Sequence, residues 1–335
     1  MQLITGATGL VGSHVLFHLL KKGAQVTALY HQRSPKETES WLRSKGVIWS
    51  DNQLHWMTTS SFWEQSDFSH YKAVYHCAAV VSYHEKDHSR MMEVNVHQTA
   101  EWVDWAMEWS VDFCHVSSIA ALGKSEEQAP IDEHCFWQPS KEHTEYSRTK
   151  FLGEMEVWRG IEEGLKAVIV NPGIIIGDGQ LDQSSGQLFD TVARGYNYYP
   201  LGGTGWIGAH DVAQIMIALV GQGCWGERFV LVAENQSMQW AFSKMAKALN
   251  LRIPQKPLTQ GMLNFIYFLD AMKELILGKR AKVTAETIRN TAVVKRFSND
   301  KIVKQLQWKF ASMEDVIQQT AGNLFPQLPL PIEKN

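Results

Sequence analysis

Tyr146 and Lys150 stand four residues apart, a spacing that sets two side chains on one face of a helix and within reach of one ligand. A phenol with an ordinary pKa of about 10 is a weak acid–base group at neutral pH, and a neighbouring ammonium favours its ionised form. The lysine can also hydrogen-bond a ribose hydroxyl. Such a pair is common on ordinary amphipathic helices, and here two other features give it weight. The first is Thr5-Gly6-Ala7-Thr8-Gly9-Leu10-Val11-Gly12, set between a short apolar strand (Met1 to Ile4) and the helix-periodic residues Val11, Val15, Leu16, Leu19 and Leu20. Gly6 allows the tight turn, Gly9 lets the backbone approach a pyrophosphate, and Gly12 lets the helix pack close to the strand. Free N–H groups at the helix start then face the negative charge. The second is Val116-Ser117-Ser118-Ile119-Ala120-Ala121-Leu122-Gly123, a strand ending in two serines. Strand C-terminal ends are where doubly wound sheets place ligands; a serine there can polarise a carbonyl or cap the strand end.

These residues need a scaffold, and the first half of the chain supplies its rhythm. Apolar runs at Met1 to Ile4, Ala24 to Tyr30, Ala73 to Cys77, Val111 to Ser117 and Leu165 to Val170 alternate with helical stretches after Gly12, Glu93 and Lys150. That alternation predicts an α/β, Rossmann-type doubly wound parallel sheet with helices on both faces. Past Asn171-Pro172-Gly173 the texture changes: 177–186 is turn-rich, 201–205 is a loop, and 236–290 reads as helical without strands. The expected organisation is a dinucleotide-binding core at 1–176 to which 207–235 returns, an interleaved and mostly helical substrate lobe at 177–206 and 236–325, and a tail at 326–335. Within the lobe, Met262, Phe265, Ile266 and Leu269 form an apolar helical face.

Composition narrows the function classes. A chain of 335 residues can bury a sizeable core, and a net charge of −3 gives no basic excess for nucleic acid. No apolar run approaches the roughly 18 residues of a membrane span. Cys77, Cys114, Cys135 and Cys224 show no paired spacing and the chain opens directly into a strand, so a reducing, cytoplasmic location is expected. His84 with His88, and His134 beside Cys135, lack a third and fourth ligand, so no metal is expected.

Over nearly its whole length the chain resembles an extended short-chain dehydrogenase/reductase of the epimerase/dehydratase superfamily. The resemblance rests on the glycine loop at 5–12, His76-Cys77-Ala78-Ala79, Val94-Asn95-Val96, Ser117-Ser118, Tyr146 to Lys150 and Asn171-Pro172-Gly173. Lys282-Val283-Thr284, with Phe297-Ser298-Asn299-Asp300-Lys301 before Leu306-Gln307-Trp308, is similar to the dihydroflavonol-reductase and 3β-hydroxysteroid-dehydrogenase branch. The resemblance implies that Gly6, Thr8, Gly9, Leu10, Val11 and Gly12 hold the pyrophosphate. It places Ala78 and Ala79 on the adenosine side, Ser117 beside the catalytic Ser118, and Pro172, Gly173 and Ile175 near the nicotinamide. Tyr146 would give a proton to the substrate oxygen as hydride arrives, with Lys150 and Ser118 in support. Asn95 matches the family's helix asparagine, but Gln98 stands where a glycine is usual, and Asn95 reads as structural. Trp56-Met57-Thr58-Thr59 replaces the family's acidic residue near the third strand.

The leading expectation is therefore an oxidoreductase acting on the ketone or aldehyde, or the corresponding alcohol, of a small and moderately apolar molecule. A sugar-nucleotide epimerase or dehydratase with retained NAD, and a non-catalytic dinucleotide sensor, are the alternatives on this fold. A homodimer is a candidate assembly. The strand end Val26 to Arg33 has no acidic residue to bind a ribose 2′-hydroxyl, and Arg33 suits a 2′-phosphate, so NADP is the expected cofactor and NAD the alternative.

Overall fold

The structure is a computed structural model and describes residues 1–125, 129–140, 143–179, 185–266 and 293–326. Its strands in chain order are β1 (Gln2–Thr5), β2 (Val26–Tyr30), β3 (Leu54–Thr58), β4 (Ala73–His76), β5 (Asp112–Val116), β6 (Ala167–Pro172), β7 (Ile174–Ile176), β8 (Tyr198–Tyr199), β9 (Gly203–Gly208), β10 (Glu227–Leu231), β11 (Glu234–Ser237) and β12 (Lys256–Pro257). The helices that matter here are α1 (Leu10–Lys21), α2 (Lys36–Ser44), α3 (Thr59–Trp63), α4 (His88–Met92), α5 (Gln98–Glu108), α6 (Glu145–Glu162), α7 (Ser185–Ala193), α8 (Ala209–Gln222) and α9 (Met238–Ala248). Among the described residues the main sheet has seven strands in the order β10-β6-β5-β4-β1-β2-β3, and every pairing in it is parallel. The expected α/β doubly wound class is what the chain adopts.

Period-two alternation sends successive strand residues to opposite faces, each buried under helices. Cys114, Val168 and Val170 pack with Val15, Leu16, Val212 and Met216 of α1 and α8. Phe113, Ala167 and Ile169 pack on the other side with Trp102, Val103, Trp105 and Val157 of α5 and α6. Because both faces are covered, the strands read as nearly continuous apolar runs, which is why most were legible. β3 was the exception: Leu54 is buried, but His55 is exposed and Trp56 to Thr58 are only half-buried, as befits an edge strand.

The later part of the chain builds a third core around the fully buried Trp206, with Ile176, Phe189, Phe242, Met245 and Ile317. A three-stranded sheet in the order β11-β9-β7 lies beneath α9 and the helix Met313–Leu324. Here the reading of 236–290 as helical without strands needs correction: β11 runs to Ser237, and Lys256–Pro257 pairs in parallel with Tyr198–Tyr199. Strands this short leave no period in the sequence, and only their partners define them. The expected apolar face also turns differently: Leu263 is buried while Phe265 is 63% exposed. Leu269 of that face, Lys282-Val283-Thr284, and the tail after 326 lie outside the described residues.

Candidate active site and dinucleotide cradle

The strand order reverses between β1 and β4, and ligands of doubly wound sheets bind at that switch point, beyond the strands' C-terminal ends. Gly6 follows β1 with φ +64, a left-handed conformation that glycine adopts without strain. A Cβ there would also sit 2.8 Å from Ala78, so the glycine turn lies directly against the loop after β4. A Cβ on Gly12 would collide with the Gly6 carbonyl, which fixes the close packing of α1 on the turn. α1 begins at Gly9 with no side-chain cap and no acid in its first turn. Its orphan N–H groups and partial positive charge are therefore unmet by the chain, and the cradle fits a pyrophosphate. Thr8 and Leu10 are buried and Val11 is half-buried in the same stretch.

A continuous hydrogen-bond relay pins the far wall. The Ala78 amide donates to Thr5 Oγ1 at 3.2 Å, and Thr5 Oγ1 lies 2.9 Å from His76 Nδ1. His76 Nε2 is 3.1 Å from Thr99 Oγ1, whose hydroxyl donates to the Asn95 carbonyl at 3.0 Å. Thr99 spends its hydrogen on that carbonyl, so the network places the His76 proton on Nε2. Burial depresses the His76 pKa to about 3, with the charge of Lys150 adding to the effect. The Asn95 amide brackets Val80, accepting from its N–H at 2.8 Å and donating to its carbonyl at 2.9 Å. Asn95 thus fixes the loop carrying Ala78 and Ala79.

Ser118, Tyr146 and Lys150 come together at the same edge. Ser118 lies two residues past β5, its Oγ accepts from the Ala120 amide at 3.1 Å, and it hydrogen-bonds the Tyr146 phenol. Tyr146 and Lys150 occupy the first two turns of α6, capped by Thr144, whose Oγ1 accepts from the Ser147 amide at 3.0 Å. Lys150 Nζ donates to the Val116 carbonyl at 2.7 Å. Burial lowers the Lys150 pKa to about 8, opposed by the nearby Glu154 and Cys77. The expected acidification of Tyr146 by this ammonium is not what the site shows. Burial pushes the phenol above its ordinary value, neighbouring Tyr83 adds to the rise, and only the Ser118 hydrogen bond opposes it. The reason is desolvation, which disfavours the phenolate more than any single neighbour favours it. Tyr83 stands edge-on to Tyr146 with ring centroids 6.2 Å apart.

The remaining predicted residues distribute along the same edge. Ser117 is 3% exposed and gives its hydroxyl to Glu154 Oε2 at 2.6 Å. Pro172 closes β6 opposite Leu231, Gly173 follows it with its amide bonded to the Leu231 carbonyl at 3.0 Å, and Ile175 pairs with Ile207 in β7. Arg33, beyond β2, pairs with Glu37 at 2.5 Å, and the Arg90 guanidinium approaches Gln32 at 3.5 Å beside it.

Sequence reasoning passed over Glu154. Its carboxylate gathers Ser117, Asn171 at 2.7 Å, Arg228 at 2.9 Å and Trp158 at 3.3 Å, while Asn171 also donates to the Ser118 carbonyl at 3.0 Å. Glu154 is 1% exposed, so one buried carboxylate ties the ends of β5, β6 and β10 together beneath the serine. The available signal was its position four residues past Lys150, a charge on the buried face of α6.

The chain is similar to known proteins. The model of the NAD dependent epimerase/dehydratase family matches residues 2–231. Sterol demethylase protein B of Methylococcus capsulatus is 27% identical over 256 residues, covering 71% of this chain and 72% of that protein. A putative dihydroflavonol 4-reductase of Synechocystis is 23% identical over 94% of this chain and 91% of its own. The UDP-glucuronic acid 4-epimerase of Bacillus cereus, solved with UDP-glucuronic acid and NAD, superposes with a TM-score of 0.73 at 17% identity, covering 98% of this chain and 100% of that one. At that identity the likeness is one of fold.

Proposed function

Since this chain belongs to the NAD-dependent epimerase/dehydratase family, we propose that within it the protein is an NAD(P)-dependent oxidoreductase that reduces a ketone or aldehyde of a small, moderately apolar molecule. The observation that carries the reading is the convergence of Ser118, Tyr146 and Lys150 at the edge that also holds the glycine turn. When bound, the nicotinamide cofactor supplies the hydride. Tyr146, its phenol raised by burial, keeps its proton at neutral pH and is placed to release it to an oxygen that gains negative charge. Ser118, already bonded to that phenol, orients the same oxygen. Lys150, still largely protonated at pH 7 with a pKa of about 8, offers its remaining N–H groups to a ribose hydroxyl. A proton-holding tyrosine suits the reductive direction. Two curated relatives bear the names of a reductase and a sterol demethylase, and both names support a reading toward apolar substrates.

NADP is the proposed cofactor. No carboxylate stands at the end of β2 to repel a 2′-phosphate, and Arg33 and Arg90 lie at that corner. Arg33 is shared with Glu37, so a phosphate there would compete with an exposed carboxylate for the guanidinium. The test is a screen of ketones and aldehydes for oxidation of NADPH and NADH, with both cofactor dissociation constants measured in wild type and Arg33→Ala at one ionic strength. The expected result is carbonyl-dependent turnover and a loss of NADP affinity in the variant; a wild-type preference for NAD, or unchanged NADP affinity, overturns the cofactor assignment. Protein that purifies with bound nicotinamide nucleotide and converts a sugar nucleotide with no added cofactor replaces the reductase reading with an epimerase.

A further inference from the structure

At the glycine-loop helix, His14, Asp178 and His210 bring three ligand atoms within 4.8 Å of one another. His14 comes from α1, Asp178 from the loop after β7, and His210 from the first turn of α8. His14 is fully buried, and its Nδ1 lies 2.8 Å from the Leu10 carbonyl. A carbonyl only accepts, so a proton sits on Nδ1, and in the neutral ring the Nε2 lone pair then points the other way. Nε2 has no hydrogen-bond partner; 3.5 Å from it lies Asp178 Oδ1, a second acceptor. Asp178 is itself only 4% exposed, with its other oxygen 2.5 Å from Lys45 Nζ. With His14 neutral, two lone pairs would face each other across that distance, a repulsion that a cation between them would relieve.

We propose that His14, Asp178 and His210 form a binding site for a first-row divalent cation, with zinc the best fit. The 3.5 Å spacing matches the edge of a tetrahedron whose metal–ligand bonds are about 2.0–2.1 Å. The rings of His14 and His210 pack edge-on, with centroids 4.6 Å apart. The surroundings supply orienting partners of the kind metal ligands have: the Leu10 carbonyl for His14, Lys45 for Asp178, and His18, whose Nε2 lies 3.0 Å from His210 Nδ1. In the tautomer that protonates His210 Nδ1, that bond is donated to His18 and Nε2 of His210 keeps its lone pair. A cavity of about 80 Å³ beside Asp178 and His210, lined also by Gln319 and Thr320, is large enough to hold water. Two histidines and one carboxylate suit zinc better than the harder magnesium or calcium. The ion would join α1, whose N-terminus forms the pyrophosphate cradle, to the start of α8 and to the Gly177–Asp178 turn.

The experiment uses the full chain, stripped with a chelator and titrated with zinc chloride by calorimetry, with melting temperature followed in parallel. One zinc per chain and a rise in melting temperature are expected. Asp178→Asn and His210→Gln should each weaken binding by about tenfold or more, whereas His84→Gln should leave it unchanged. Cobalt(II) serves as a second probe, because a four-coordinate nitrogen–oxygen site gives it visible absorption bands that the Asp178→Asn chain should lack. These readouts need no turnover, and conservative replacements at Asp178 and His210 avoid a folding failure at His14. No zinc binding by the wild type, or the same stoichiometry and affinity in Asp178→Asn and His210→Gln, overturns the proposal and leaves an imidazolium–carboxylate pair.

Discussion

At the scale of single residues, the site depends on where protons rest. Burial keeps the proton on Tyr146, so replacing the hydroxyl removes the transferable hydrogen and little else. Tyr146→Phe is expected to lower kcat by on the order of 10²–10⁴-fold while the cofactor dissociation constant stays within error; steady-state kinetics with a binding titration checks both, and full turnover would end the acid role. Lys150 titrates at about 8, so its charge is present below that pH and lost above it. We expect the basic limb of kcat/KM to fall near pH 8 for wild type. In Glu154→Gln the limb should move to lower pH, because the carboxylate that favours the ammonium is gone. An unmoved limb would mean that another group sets it.

At the scale of elements, one buried carboxylate, Glu154, ties Ser117 after β5 to Asn171 of β6 and Arg228 of β10. Arg228 is 9% exposed and donates to Glu154 at 2.9 Å, so Glu154→Ala takes the carboxylate from a buried guanidinium that keeps the Glu133 and Cys135 carbonyls as acceptors. Breaking such a pair costs about 3–5 kcal/mol, a large share of the roughly 5–15 kcal/mol that holds a protein folded. Denaturant unfolding should show it, and a loss near zero would show the arginine finding water. The cap of α6 is a smaller matter: Thr144→Ala should cost about 1 kcal/mol, since one amide, that of Ser147, loses its acceptor. The spacing of Tyr146 and Lys150 was legible because a helix converts four residues into one face. Glu154 was not, since no pattern says that Ser117 just past β5, Asn171 of β6 and Arg228 of β10 will meet it.

At the scale of the molecule, stability should fall on acidification. His76 and His115 are both about 1% exposed, and burial holds His76 at about 3 and His115 well below its ordinary value. Between about pH 6.5, where these groups titrate when unfolded, and pH 3, the unfolded chain binds protons that the native chain refuses. Stability therefore rises with pH across that window and is lost as pH falls through it. Unfolding free energy measured from pH 7 to pH 4 should decline, and His76→Phe should decline less steeply whatever its stability at pH 7. Equal slopes would assign the loss to other groups.

The sequence by itself determined the alternation of strands and helices, the glycine turn and the Tyr146–Lys150 face, because each is set by local periodicity or by one residue's conformational range. Gly6 at φ +64 and the apolar runs of β1, β4 and β6 are of that kind. Only the tertiary structure decided the direction of the Tyr146 shift, which comes from burial and Tyr83 and not from the lysine one turn away. It alone paired Lys256–Pro257 with Tyr198–Tyr199, and it alone brought His14, Asp178 and His210 within reach of one another across nearly 200 residues of chain. Desolvation and long-range pairing depend on what the rest of the chain packs around a group, and spacing along the chain carries no record of that.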